Sequence, residues 1–226
     1  MTGGGMTDGG AGDGTAIGLT ELQLDAFTEL VNIGVSRAAA SLRQMIGTQV
    51  LLSVPSVEIV SRDAAARLIG EREAAPLVVV HQDFAGAFAG RALLIFPQEN
   101  GRELVRAVAG EELSLEEVAD LEDEALAETG NIILNGCLAT MANMLQRTLT
   151  MSLPGIARGD GPQIFGMHAG GAAGADALVL FLYIDFSVSE RDIRGYLAML
   201  MDLPSLENLR LLVDEFIARA LGDLDA

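Results

Sequence analysis

The chain has 226 residues, half of them hydrophobic and 20% charged, which is enough apolar side chain to bury a core in one domain of moderate size. A formal charge of −18, from 32 acidic against 14 basic side chains, repels phosphate backbones and anionic head groups and argues against nucleic acid or membrane insertion. One cysteine, Cys137, excludes an intramolecular disulfide; no long apolar run is free of charges or turn signals, and the N-terminus lacks a secretion pattern, so the expected compartment is the cytoplasm.

Residues 1–18 are Gly-rich with almost no large apolar side chain and are expected to form a disordered tail, leaving 19–226 as a single domain. From Leu19 to Ile46 the pattern is helical, with Thr20 as N-cap, Glu21 and Asp25 near the positive end of the helix dipole, and Gly47 as a stop. The β-branched stretch around Val54 is interrupted by Pro55, which suits an edge strand or a strand end, and 62–70 read as a short helix. Two apolar runs separated by Gly86 and Gly90 predict antiparallel strands joined by a turn, followed by a helix over 98–109.

The order then repeats. A helical pattern covers 114–146, a β-prone segment carries Pro154, a glycine loop spans 166–174, and a strand runs on from Ala177. Helical patterns are also read at 189–201 and 204–221, without a counterpart in the first part of the chain. The expected division is two half-repeats, about 19–112 and 113–200, plus an extra C-terminal helix at about 204–221.

Within the first long helix Asp25, Glu29 and Asn32 stand at i, i+4 and i+7, inside about 60° of arc. Ser36 and Arg43 extend that stripe, and the opposite face carries Phe27, Leu30, Val31, Gly34, Ala38, Leu42 and Met45, so the carboxylates and the amide are expected to point outward. Glu124, Glu128 and Asn131 repeat the spacing on the second helix after a shift of 99 positions (131 − 32), with Leu126, Ile133, Cys137, Met141 and Met144 opposite. Between Asn32 and Pro55, and again between Asn131 and Pro154, lie 22 residues.

This pattern resembles the CheC/CheX/FliY family, marked by Asp or Ser, Glu four residues on, Asn three further, and Pro after a 22-residue gap. Asp25-Glu29-Asn32-Pro55 satisfies every position, whereas Glu124 replaces the first residue in the second copy. The words LQLDAFTELVNIGVSRAAASL and EALAETGNIILNGCLATMANML are similar to that family's two helices, and the similarity runs from Leu19 to about Tyr196. The resemblance implies an α/β, CheC-like fold with pseudo-two-fold symmetry: a mainly antiparallel sheet carrying two long helices side by side, each exposing its stripe on a convex surface.

It also implies a phosphatase that hydrolyses the aspartyl phosphate of a CheY-like response regulator in chemotaxis. Asn32 and Asn131 would orient the attacking water through an amide that both accepts and donates, Glu29 and Glu128 would bind a partner lysine, and Asp25 and Glu124 would support docking. The chain is expected to hold no metal of its own, the Mg2+ belonging to the receiver's acidic cluster. The same family suggests two other roles, a silent scaffold like the flagellar switch protein FliM, or a regulatory adaptor for the deamidase CheD.

The remaining chemistry-bearing residues read as structural. Cys137 falls on an apolar helix face without a base, His81 and His168 lie in separate segments without a metal or triad pattern, and GMHAGGAAGAD lacks the Gly-Lys-Ser/Thr ending of a phosphate loop. Pro55 and Pro154 shape the backbone through a fixed φ and a missing N–H.

Overall fold

A computed structural model describes residues 19–47, 49–54, 56–73, 76–109, 114–166, 178–188 and 191–222. The expected tail at 1–18, Pro55, the glycine loop from 167 onward with His168, and the half-repeat boundary at 112–113 lie outside them.

Helix α1 (Glu21–Ile46) opens with a capping box: Thr20 Oγ1 accepts from the Gln23 amide at 3.3 Å, and Thr20 N donates to Gln23 Oε1 at 2.9 Å. It ends at Gly47, whose φ of 72° a side chain would resist. Strands β1 (Val50–Ser53) and β2 (Val57–Ser61), helix α2 (Arg62–Arg72), the hairpin β3 (Leu77–Gly86) and β4 (Gly90–Pro97), and helix α3 (Gln98–Ala109) complete the first half.

The second half repeats that series. Helix α4 (Leu115–Met144) is followed by β5 (Leu149–Met151), β6 (Gly155–Gly159), α5 (Gly161–Gly166), β7 (Leu178–Val188), β8 (Arg191–Met201) and α6 (Leu203–Gly222).

Residues 191–201 are therefore a strand, not the expected helix. Ala, Leu and Met favour helix by propensity, but β8 lies between β7 and β4 at the middle of the sheet and is covered on both faces. A strand buried on both sides loses the alternation that would identify it, and its apolar run then matches a helix as well as a strand. With β8 assigned, α6 follows it as α3 follows β4, so the supposed extra helix closes the second half-repeat.

The sheet runs β1-β7-β8-β4-β3-β5, with β2 continuing along β7 and β6 along β3, and every pairing is antiparallel. Edge strands are exchanged: β1 and β2 of the first half pair with β7 of the second, while β5 and β6 pair with β3. Helix α3 likewise packs on α4, and α6 on α1. Neither half can complete its sheet or cover its long helix without the other.

Long helices α1 and α4 lie on one sheet face and α2 and α5 on the other, with a core on each side. Strand β3 divides accordingly: Val78, Val80 and Phe84 belong to the core of the long helices, and Leu77 and Val79 to the opposite core.

Candidate active site

Helices α1 and α4 pack against each other along glycines. A Cβ on Gly34 would lie 2.8 Å from Cys137 Cα, and one on Gly136 would lie 3.0 Å from Ala38 Cβ, so the two helix backbones approach closely. Phe27, Leu30, Val31, Ala38 and Leu42 are buried beneath α1, but Met45 is 41% exposed near its end, contrary to the face assigned from periodicity. Beneath α4 lie Leu126, Ile133, Cys137 and Met141. Burial pushes the Cys137 thiol up to about 12, so it stays protonated and unreactive.

In the first half Asp25 and Glu29 are exposed and Asn32 is half-buried. The Asn32 amide does not stand free in solvent as periodicity suggested. Its Nδ2 donates to Val54 O at 3.0 Å, and its Oδ1 accepts from Val54 N at 2.8 Å. Val54 is 2% exposed and lies in the break between β1 and β2, where buried backbone groups lose a ladder partner and take one from a side chain. The 22-residue step from Asn32 to Val54 thus carries the chain from helix to strand break. Beside it runs a shallow groove of about 370 Å³ lined by Glu29, Asn32, Ile33, Ser36, Arg37 and Ala40, a concavity on a surface expected to be convex.

In the second half Glu124 and Glu128 are exposed and Asn131 is half-buried, but the amide has different neighbours. Gln82 on β3 donates from Nε2 to Asn131 Oδ1 at 3.1 Å and to Ser152 O at 2.9 Å, and Asn135 Nδ2 donates to the same Asn131 Oδ1 at 2.6 Å. Asn131 Nδ2 makes no hydrogen bond among the described residues and is not enclosed. Nearby, Arg158 on β6 donates to Asp123 at 2.6 Å and lies 3.3 Å from Glu122 Oε1, an ion-pair contact without hydrogen-bond geometry.

The register shows which residue stands at the first site where Gln82 stands at the second. Met151 faces Phe84 on β3 and Leu52 faces Phe186 on β7, so edge strands correspond at a shift of 99 (52 to 151) and these central strands at 102 (84 to 186). Gln82 therefore corresponds to Ile184, and Asn135 to Ser36. Sequence reasoning missed both Gln82 and Asn135. The available signals were a glutamine in step with Val78, Val80 and Phe84 on an inward-facing strand, and an amide four residues after Asn131 on the same helix face.

Elsewhere, a cavity of about 550 Å³ lies between α2 and α5 on the opposite sheet face, lined in part by Arg62, Asp63, Arg67 and Glu71, and contains none of the predicted site residues. Among the described residues no three His, Cys, Asp or Glu side chains group to hold a metal, and no helix is long and apolar enough to cross a membrane.

No family model matches the sequence. The chain is 23% identical over 197 residues to the CheY-P phosphatase CheC of Bacillus subtilis (strain 168), covering 85% of this chain and 94% of that one. It is 27% identical over 143 residues to the CheC1 protein of Halobacterium salinarum, covering 63% and 72%. Among solved structures, Thermotoga maritima FliY shares the fold with a TM-score of 0.71 at 15% identity, over 88% of this chain and 98% of the FliY chain.

Proposed function

We propose that this chain, a member of the CheC/CheX/FliY family, is a phosphatase for the aspartyl phosphate of a CheY-like response regulator. The observation that carries the reading is the recurrence of one stripe, Asp25-Glu29-Asn32 and Glu124-Glu128-Asn131, on two helices packed side by side, with all four carboxylates exposed beside half-buried amides. The name of the Bacillus subtilis relative supports it.

The receiver docks across α1 and α4. Glu29 or Glu128 takes a receiver lysine in a charge-assisted contact that strengthens as docking excludes water, while Asp25 and Glu124 add to the acidic surface. The adjacent asparagine reaches the phosphoryl group, where a positioned amide aligns water for in-line attack. Water adds to phosphorus, the bond to the aspartate oxygen breaks, and the products are inorganic phosphate and the free receiver carboxylate. At Asn131 both bonds to Oδ1 come from the protein, so this amide acts through Nδ2 as a donor to the water or to a phosphoryl oxygen. The Mg2+ of such a reaction belongs to the receiver.

The test is the decay of a phosphorylated CheY-like receiver with and without this protein, alongside the double Asn32→Ala, Asn131→Ala variant. Faster decay that the double variant abolishes supports the phosphatase. Unchanged decay with tight receiver binding overturns it in favour of a scaffold or adaptor.

A further inference from the structure

The two asparagines share a motif but differ in which amide atoms are already committed, and two residues outside the motif set that difference. Ser152 O is a backbone carbonyl and can only accept, so Gln82, 2.9 Å away, must turn its NH2 toward it. The second hydrogen of that NH2 then requires an acceptor at Asn131, which fixes Asn131 with Oδ1 inward. Asn135 donates to the same oxygen. The orientation of all three amides thus follows from one carbonyl that cannot rotate, and the series ends with Asn131 Nδ2 facing out. At the first site Ile184 on β7 and Ser36 on α1 take the places of Gln82 and Asn135, and Asn32 spends both amide atoms on Val54.

The arrangement has a stability cost. Gln82 is 1% exposed, and its Oε1, like Asn135 Oδ1, is a buried acceptor with no donor among the described residues. Buried unpaired acceptors are uncommon in native structures and destabilise them. Ile184, 4% exposed, shows that an apolar side chain packs at the equivalent position without this cost. Packing alone gives neither Gln82 nor Asn135 a reason to bury an unpaired oxygen.

We infer that Gln82, assisted by Asn135, is a positioning residue that locks the Asn131 amide with its NH2 presented to the substrate, making the second site the pre-organised one. The inference rests on the proposed phosphatase reading for its kinetic consequence, but the lock itself is open to direct observation.

The experiment uses the full chain with Gln82→Leu, Asn135→Ala and Asn131→Ala as separate variants. The side-chain amide resonances of Asn131, identified by their loss in Asn131→Ala, should form one dispersed pair in the wild type and move toward free-amide positions in the other two variants. Turnover of the phosphorylated receiver should show kcat lowered at least about 10-fold in both, with KM within about twofold, because the alignment of the reacting group is lost and the docking carboxylates are untouched. The melting temperature of Gln82→Leu should match or exceed the wild type, an outcome that a purely structural role does not produce. Asn135 is half-buried, so its variant keeps the test decisive if Gln82→Leu does not fold. Unmoved Asn131 resonances, or wild-type kcat in both variants while Asn131→Ala is impaired, overturns the inference. Wild-type kcat in Asn131→Ala itself overturns the phosphatase role of this amide, and a resonance shift in the Gln82 variant would then establish a lock without that catalytic purpose.

Discussion

Asn32 and Asn131 occupy the same helical turn of the two half-repeats, and each faces a strand break, yet one amide closes that break and the other is held beside it. At the first site Val54 takes both amide atoms, so the asparagine serves the fold. At the second, Gln82 bonds to Ser152 O and Asn131 Oδ1 together, and Asn131 Nδ2 has no hydrogen-bond partner among the described residues. The shared Glu-Asn spacing therefore meets different partners in the two copies, the Val54 backbone at Asn32 and the amides of Gln82 and Asn135 at Asn131. The two stripes recur with the same spacing, and Ile184 and Gln82 occupy the corresponding strand positions beside them.

The sharpest test is a double dissociation. Asn131→Ala should lower the rate of receiver dephosphorylation at least about 10-fold, and although Gln82 and Asn135 lose an acceptor, its stability loss should be the smaller of the two because Gln82 Nε2 keeps Ser152 O. Asn32→Ala should lose at most about half of the activity but destabilise the fold by about 1–3 kcal/mol in denaturant titrations, because the buried Val54 groups lose their partner. Equal activity losses from the two changes would mean that the Asn32–Val54 bonds open on docking and that the two sites work alike.

A smaller effect is expected at Glu29 and Glu128, the carboxylates proposed to dock the receiver, which both halves expose. Glu128→Lys should raise KM about 10-fold with kcat held, and should weaken the dependence of KM on salt. Glu29→Lys should do less if the first site contributes less, and a larger effect there would reverse the ranking of the sites.

The smallest expected effect separates the halves by pH. His81 on β3 corresponds to Tyr183 on β7 at the same 102-residue shift. Burial, reinforced by the positive charge of Arg91, holds the His81 imidazole below its ordinary value of 6.5. The unfolded chain therefore binds this proton first as pH falls, so the contribution of neutral His81 is complete above about 6.5 and is lost below it. Stability of the wild type minus that of His81→Gln, measured by urea titration at about pH 8 and pH 5, should decrease toward acid. A difference that does not change with pH would show that burial of His81 carries no linkage.

Much of the candidate site was legible because it is written in local periodicity. The i, i+4, i+7 stripes, the cap at Thr20, the stop at Gly47 and the 99-residue repeat each depend on residues close in sequence or on the recurrence of such a set. Strand β8 was not legible, since coverage on both faces removed its alternation and its Ala, Leu and Met content matched a helix. Placing β8 in turn revealed α6 as the partner of α3, which periodicity alone had left as an appendage.

By itself the sequence determined two amphipathic helices of matched pattern, their exposed carboxylates and the breaks near Pro55 and Pro154, because side-chain direction along a helix follows from spacing. Only the tertiary structure decided how each asparagine is held. That depends on Val54, 22 residues from Asn32 in the same half, and on Gln82, 49 residues from Asn131 and on the strand that the second half's β5 and β6 join. A hydrogen bond has a direction that spacing along the chain does not carry, so which end of each amide is free becomes defined only once the strand opposite it is in register.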